Sequence, residues 1–326
     1  MANNKNIFLI FSGLFVLAGF SFFLSLSTGS NGMSFVECLQ VLLGNANENS
    51  ELIIKSIRLP RVLAAIFIGA GLSASGCVFQ AVLRNPLAEP LTLGVSGGAV
   101  FGAAAAVVLA VSTFFIPLFS FAGAFLAVGA VYALSRKKSF DSNAMILSGV
   151  AVSYVFSSTV MLIYSMSSAH QIQAAFSWLM GDLSTVDTGL LIISAVIICA
   201  GIAVLSMFGN IINVISLGEQ KAQTLGINAQ KYVKLIFITA SLVAAVSVAL
   251  CGVIGFVGLM IPHIMRKILG GNNIILIPAS ALGGAIFLPL CDAVSRTLFA
   301  PVMLPAGVIT GIAGGIFFMF LLSRAK

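Results

Sequence analysis

The feature that most constrains this chain is the length of its uncharged segments. Residues 62–83 form a run of 22 residues without a charged side chain, and residues 235–265 form another of 31. A helix needs about 20 mainly apolar residues to cross the hydrocarbon core of a bilayer. Both runs reach that length, so they predict helices that span a membrane.

Composition supports this prediction and excludes other classes. The 326 residues are 60% hydrophobic and 8% charged, whereas roughly a quarter of a soluble domain is charged. The strands of a membrane β-barrel alternate in polarity over about 10 residues, but these apolar runs are continuous, and a helix pairs its own backbone groups within the segment. We therefore predict an all-α polytopic membrane protein in which residues 1–326 form a single transmembrane domain.

Cutting the sequence at charged residues and at Pro, Gly and Asn clusters predicts ten spans. They cover residues 7–27, 61–82, 93–112, 115–135, 143–166, 189–208, 233–250, 252–268, 276–296 and 304–323. The run 235–265 is long for one span and short for two, and a break at Cys251-Gly252 favours two. Nine spans is the alternative.

The distribution of Lys and Arg predicts the orientation, because short cytoplasmic loops carry an excess of both. With ten spans and both termini in the cytoplasm, twelve of the sixteen basic residues lie inside. These twelve are Lys5, Arg84, Arg136, Lys137, Lys138, Lys221, Lys231, Lys234, Arg266, Lys267, Arg324 and Lys326. The exceptions at the outer face are Lys55, Arg58, Arg61 and Arg296. The same scatter of basic residues between spans accounts for the net charge of +7 without nucleic-acid binding.

Ionisable groups are nearly absent from the centres of the predicted spans. Acidic residues fall at the predicted edges: Glu37, Glu89, Asp141, Asp182, Asp187, Glu219 and Asp292. Asp292 comes closest to an interior position, and it can pair with Arg296 one helical turn later. Ion-coupled transporters usually keep acidic or His residues at mid-membrane, so a stand-alone ion-coupled transporter is only the second hypothesis.

Motifs for catalysis and for metal or cofactor binding are not found in the sequence. It has no phosphate loop, no H-E-x-x-H and no G-x-S-x-G, and its two His and five Cys residues lack metal-ligand spacing. We expect no catalytic residue, no metal site and no cofactor on this chain. A membrane enzyme is the third hypothesis.

The segment 209–234 is the longest loop predicted to face the cytoplasm. Within it, residues 216–225 predict a short amphipathic helix, with Ser216 as N-cap, Glu219 completing a capping box and Gly226 ending the helix. Such a helix either lies on the bilayer or fits a groove in another protein. Two strips of glycines at four-residue spacing, 94–102 and 307–315, predict close helix packing or a smooth wall for a bulky cargo.

Six motifs in order along the chain resemble one family of transport proteins. They are R-L-P-R at 58–61, N-P-L-A-E-P at 85–90, L-G-V-S-G-G-A at 93–99, G-E-x-x-A-x-x-L-G at 218–226, G-F-V-G-L-M-I-P-H-I-M-R at 255–266 and L-P-A-G-V-I-T-G at 304–311. The sequence resembles the permease subunits of binding-protein-dependent ABC importers for iron–siderophore complexes, haem and cobalamin.

The resemblance implies an assembly and three functional regions. The fold would be that of a type II ABC importer permease in the inner membrane of a bacterium. The chain would assemble with a second permease copy or a paralogue, with two ATPase subunits that bind ATP and Mg²⁺, and with an extracytoplasmic substrate-binding protein. Docking of that protein is implied for Arg58, Arg61 and Arg296. The cytoplasmic gate is implied for Asn85, Leu87, Ser142 and Asn143, and coupling to the ATPase for Leu217, Gly218, Glu219, Ala222, Leu225 and Gly226.

The leading hypothesis is therefore an ABC importer permease for a ferric siderophore or haem. Cobalamin is the alternative cargo within the same family.

Overall fold

The computed structural model describes residues 4–29, 34–44, 48–136, 141–184, 186–300 and 302–324. Over these residues the chain forms fifteen α-helices and no strand. The helices are α1 Asn4–Ser27, α2 Phe35–Leu42, α3 Glu48–Leu52, α4 Leu59–Val82, α5 Val95–Val108, α6 Ile116–Arg136, α7 Ser142–Ser165, α8 Ala169–Leu179, α9 Thr188–Met207, α10 Gly209–Ser216, α11 Glu219–Thr224, α12 Ala229–Cys251, α13 Val257–Leu269, α14 Asn273–Thr297 and α15 Ala306–Arg324.

The predicted spans correspond to ten of these helices. Seven segments of the described chain are long and apolar enough to cross a membrane, and α5 and α15 are shorter apolar helices. Helix α13, with 13 residues, is shorter still. The multi-pass helical fold is confirmed, while ten crossings with both termini in the cytoplasm stay predictions. Of the basic residues used to orient the chain, Lys137, Lys138 and Lys326 lie outside the described residues.

Helix α4 lies at the centre of the bundle because small residues let other helices approach its backbone. A Cβ atom added to Gly69 would clash with the backbone of Gly284 on α14, and one added to Gly76 would clash with Gly258 on α13. Such contacts are how membrane helices pack when apolar burial offers no gain over lipid. Consistent with this, 78% of an 18-residue apolar stretch in the segment that includes α4 is buried, against 11% of such a stretch in α1.

The two glycine strips differ in their surroundings. Gly98 and Gly102 on α5 contact the backbone of α6 near Gly123 and Phe119, so the first strip is intramolecular packing. On α15, Gly307 contacts the backbone at Met180, but Gly311 and Gly315 face open space. Part of the second strip therefore remains uncovered in the single chain.

The break between α12 and α13 confirms two helices in the run 235–265. Gly252 ends α12 with a φ of +81°, and its α-carbon lies so close to the carbonyl oxygen of Trp178 that a Cβ would not fit. Phe256 precedes α13 with a φ of +66°, an unusual backbone conformation for a residue with a side chain. The chain thus reverses over five residues between two helices that pack on α4.

Candidate functional site

One candidate region is a cluster of four charged residues at one end of the bundle, which we call the arginine cluster: Arg58, Arg61, Asp292 and Arg296. Arg61 Nη2 lies 2.8 Å from Asp292 Oδ1, and Arg296 Nε lies 3.0 Å from Asp292 Oδ2. Asp292 is fully buried. The predicted pair of Asp292 with Arg296 is confirmed, and Arg61, 231 positions away, shares the same carboxylate.

The remaining donors of the arginine cluster bind the end of α1. Arg58 Nη1 donates to the carbonyl oxygens of Leu26 and Ser27 at 2.9 and 3.0 Å, and Arg296 donates to those of Ser25 and Thr28 at 2.8 and 2.7 Å. The last four carbonyls of a helix have no intrahelical partner and carry partial negative charge. The guanidinium groups therefore stabilise the C-terminus of α1.

The structure brings the three predicted docking arginines together but buries them. Their exposed fractions are 6% for Arg58, 6% for Arg61 and 4% for Arg296. The overall distribution of Lys and Arg placed them at the outer face as exceptions to the insertion rule, but it did not show that Asp292 and α1 hold them. Contact with a partner protein stays a prediction, and it would require these side chains to exchange partners.

At the opposite end of the bundle lie several basic residues of the connecting segments; we call this the basic end and define it by Arg84, Lys221, Lys231, Lys234 and Arg266. It contains the predicted gate. Asn85 Oδ1 accepts a hydrogen bond from the Leu87 backbone N–H at 2.9 Å, which holds the turn.

The tip of that turn is accessible. Leu87 is 57% exposed. Ser142 and Asn143 form the first turn of α7, where Asp141 is the N-cap and accepts from the backbone N–H of Asn143 at 3.1 Å.

The predicted coupling residues form a knob at the basic end. Leu217 and Leu225 are exposed, and Ala222 is fully buried beneath them. Glu219 begins α11, Gly218 has a φ of +112° and Gly226 has a φ of +77°. Both glycines are required at these positions because a Cβ is disfavoured at positive φ.

The prediction for the start of this knob was wrong. Ser216 does not cap α11; it ends α10 and its hydroxyl donates to the Asn213 carbonyl at 2.7 Å. Gly218 is the N-cap residue and contributes no side-chain bond. The capping-box pattern failed because a preceding helix, α10, takes Ser216 as its own last residue.

Gate and coupling residues meet in space. A small cavity of about 30 Å³ is lined on the gate side by Arg84, Asp141 and Ser142, and on the coupling side by Glu219. A Cβ on Gly218 would lie 3.4 Å from Arg84 Nη1. The knob therefore approaches the first gate turn at Arg84 and shares a cavity with the second at Ser142.

Two buried polar residues near the gate were not predicted as site residues. Gln80 is 3% exposed and accepts from Arg266 Nη1 at 3.0 Å. Glu89, which the sequence placed at an edge, is 6% exposed, and burial raises the pKa of its carboxyl group to about 7. The N-P-L-A-E-P motif indicated a turn, but a turn pattern does not show which of its side chains points into the protein.

Comparison with known proteins identifies the fold. A model of the FecCD transport family matches residues 16–324. The chain belongs to the FecCD transport family. It is therefore a multi-pass permease of the inner membrane, as the motifs predicted.

Relatives in this family have several cargoes. The chain is 34% identical over 304 residues to the Fe(3+)-citrate import system permease protein of Bacillus subtilis, covering 93% of this chain and 91% of the relative. It is 30% identical over 325 residues to the iron(3+)-hydroxamate import system permease protein of the same organism, covering 96% of each. It is 38% identical over 278 residues to the cobalamin import system permease protein of Halobacterium salinarum, covering 84% and 74%.

A solved structure has the same fold along nearly the whole chain. It is described as an inward-facing conformation of a metal-chelate type ABC transporter, with a TM-score of 0.87, 29% identity and coverage of 98% of this chain and 100% of that one. The arrangement of helices is thus that of an ABC importer permease.

Proposed function

We propose that this chain is the membrane-spanning subunit of an ABC importer that carries a ferric siderophore or haem into the cell. The observation that carries the proposal is the position of the coupling knob beside the gate turns: Gly218 lies close to Arg84, and Glu219 lines one cavity with Ser142. An ATPase that moves the knob would move the gate through direct contact. Names of relatives that import ferric citrate and ferric hydroxamate support an iron complex as cargo, and cobalamin is the alternative.

The proposed assembly would add ATPase subunits and a second permease copy to this chain. Two ATPase subunits would bind ATP and Mg²⁺ and press on Leu217 and Leu225, which are exposed leucines with no apolar cover. A second permease copy would complete the path. The chain itself would bind no cofactor and hydrolyse no ATP.

An extracytoplasmic binding protein would dock near the arginine cluster. Arg58, Arg61 and Arg296 outnumber the single Asp292, so the arginine cluster itself has more positive than negative charges. Acidic side chains of a partner would be attracted to that charge, with the largest effect at low salt.

One observation favours the second candidate function, an ion-coupled transporter. The buried acid that such a protein needs is present as Glu89, whereas Asp292 is committed to two arginines. Uptake into proteoliposomes separates the two candidates. The importer requires ATP and an ATPase subunit, whereas an ion-coupled transporter works with an ion gradient and this chain alone.

A substitution in the knob sharpens that test. Leu225→Glu should leave ATP hydrolysis measurable but abolish most of the uptake per ATP hydrolysed, since a charge would replace the apolar contact with the ATPase. Thr224→Glu, at the neighbouring exposed position, is the matched control and should keep uptake. Equal uptake by Leu225→Glu and the unmodified protein would contradict the coupling role.

A further inference from the structure

Helix α13 contains a proline that removes the usual hydrogen-bond donor for one of its own carbonyl groups. In an α-helix the carbonyl of residue i accepts from the N–H of residue i+4. For Gly258 that residue is Pro262, which lies inside α13 and has no N–H. Gly258 is buried, and a buried backbone group without a partner costs free energy. Proline is tolerated in membrane helices where a neighbouring helix supplies the missing partner.

The replacement donor is a side chain of α4. Gln80 Nε2 donates to the carbonyl oxygen of Gly258 at 3.3 Å and to that of Leu259 at 3.2 Å. Gln80 Oε1 accepts from Arg266 Nη1 at 3.0 Å. The nitrogen and the oxygen of the amide are thus both engaged by α13, which fixes the orientation of the amide. Because Gln80 is buried, little water competes for these bonds.

The backbone of the same residue holds the start of the gate turn. The Asn85 N–H donates to the Gln80 carbonyl at 3.2 Å, and the Arg84 N–H donates to the Ala81 carbonyl at 3.4 Å. Arg84 has a φ of +50°. Two such bonds around a left-handed residue form a Schellman motif, which ends a helix and fixes the direction in which the chain leaves it. Gln80 therefore bonds the gate turn through its backbone and α13 through its side chain.

The far end of the gate turn also approaches α13. Pro90 Cδ lies 3.2 Å from where a Cβ of Gly258 would be, and the carbonyl oxygen of Leu72 on α4 lies 2.8 Å from the same point. Gly258 is thus enclosed by α4 on one side and by the residue that ends the N-P-L-A-E-P turn on another. The first turn of α13 packs against both elements that the Gln80 bonds connect.

We propose that Gln80 is a positioning residue for transport, whose side-chain amide replaces the N–H that Pro262 lacks and so fixes the first turn of α13 to the end of α4 that bears the gate turn. The proposal rests on the function proposed above, since it concerns how the gate of a permease moves. With Gln80 in place, a displacement of the turn at Arg84 by the coupling knob is transmitted to α13. Without Gln80 the first turn of α13 loosens, and the gate turn moves alone.

Paired substitutions separate this role from ordinary packing. Gln80→Met keeps the length and bulk of the side chain but removes both its donor and its acceptor. Pro262→Ala gives position 262 an N–H that can bond the Gly258 carbonyl, so it should compensate for the loss of Gln80. Pro289→Ala is the matched control, because it removes a proline from the interior of α14 and provides no donor for Gly258.

Hydrogen exchange tests the bonds without any cargo or ATPase. In lipid nanodiscs, peptides covering residues 257–266 of Gln80→Met should exchange about tenfold faster than those of the unmodified protein, because the first turn of α13 loses two hydrogen bonds. Adding Pro262→Ala should restore most of the protection, and adding Pro289→Ala should restore none. Unchanged exchange in Gln80→Met, or equal recovery with both proline substitutions, would overturn the proposal.

The same comparison applies if Gln80→Met does not accumulate as folded protein. The yield of folded protein is then measured for the two double variants. Recovery with Pro262→Ala but not with Pro289→Ala supports the proposal, whereas recovery with neither overturns it.

Transport tests the consequence of the bonds. With the ATPase and binding protein present, Gln80→Met should hydrolyse ATP with a several-fold lower uptake per ATP. Adding Pro262→Ala should raise that ratio, and adding Pro289→Ala should not. A normal ratio in Gln80→Met contradicts the positioning role. Lack of ATP-driven uptake by the unmodified protein would instead count against the proposed function, while the exchange result on α13 would stand.

Discussion

Asp292 is the residue on which the arginine cluster depends. Its two carboxylate oxygens serve Arg61 and Arg296, and all three side chains are buried. A buried ion pair adds little stability compared with two apolar residues in the same places. Removing only one partner, however, leaves the other charge buried and uncompensated. The cost of losing Asp292 is therefore larger than the value of either contact.

Asp292→Asn should lower the free energy of unfolding by about 3–5 kcal/mol, because two buried guanidinium groups lose their counter-charge. Thermal unfolding in detergent measures this. Asp187→Asn is the control: Asp187 is exposed and caps α9 through the Leu190 N–H at 3.0 Å, and Asn caps helices equally well. Equal stability of the two variants would contradict the central place of Asp292.

Glu89 should make stability depend on pH. Because burial raises its pKa from 4.5 to about 7, the folded state retains a proton that the unfolded state releases between these values. The contribution of Glu89 to the free energy of unfolding is greatest below pH 4.5. It falls as the pH rises to about 7, by about 3 kcal/mol in all, at about 1.4 kcal/mol per pH unit. In detergent-solubilised protein, Glu89→Gln should flatten the dependence of the free energy of unfolding on pH between 4.5 and 7. If the slope is unchanged, other titrating groups cause the pH dependence.

At the scale of elements, the break between α12 and α13 depends on the close approach of the Gly252 backbone to the backbone of α8 at Trp178. Gly252 and Gly270 both have positive φ, at +81° and +85°, but only Gly252 meets another backbone, at Trp178. Comparing the same substitution at Gly252 and Gly270 therefore distinguishes the cost of backbone strain from the cost of a steric clash.

Gly270→Ala should cost about 1 kcal/mol from the positive φ alone. Gly252→Ala should cost about 1–3 kcal/mol more, because its methyl group forces α8 and the break apart. Thermal unfolding of both variants gives the difference. A cost for Gly252→Ala no larger than that for Gly270→Ala would mean that α8 moves aside freely.

The bounds of the long helices could be predicted because charges, Pro and Gly mark the ends of apolar runs. Helix α7 was predicted at 143–166 and is found at Ser142–Ser165. The pairing of Asp292 with Arg61 could not be predicted, because the two residues are distant in sequence and no local periodicity reports contacts between helices. The gate and the knob were predicted separately from motifs, and their contact at Arg84 follows only from the packing of α10 and α11.

At the scale of the whole molecule, α15 has an apolar face without a partner in the single chain. Gly311 and Gly315 face open space, and Ile312 and Ile316 are 58% and 57% exposed. A strip of small residues beside exposed β-branched residues suits contact with a second membrane helix. We expect this face to contribute to the permease dimer.

Gly311→Leu should weaken self-association by about 1–3 kcal/mol through overpacking, roughly a tenfold to hundredfold rise in the dimer dissociation constant. Light scattering in detergent at several protein concentrations measures it. Gly129→Leu is the control, since Gly129 on α6 is also open and lies within an apolar helix. Equal dimerisation of both variants would place the interface elsewhere.

The attachment of α1 has a consequence for how the protein is made. Helix α1 is mostly unburied along its length, yet its last carbonyls are held by Arg296, 268 positions later. During synthesis, α1 enters the membrane first and must wait for nearly the whole chain before this anchor exists. Until α14 emerges, Arg61 has no Asp292, so the nascent protein carries unmatched charge at one end. A chain that stops before α14 therefore keeps only the hydrogen bonds from Arg58 to the end of α1 and lacks those from Arg296.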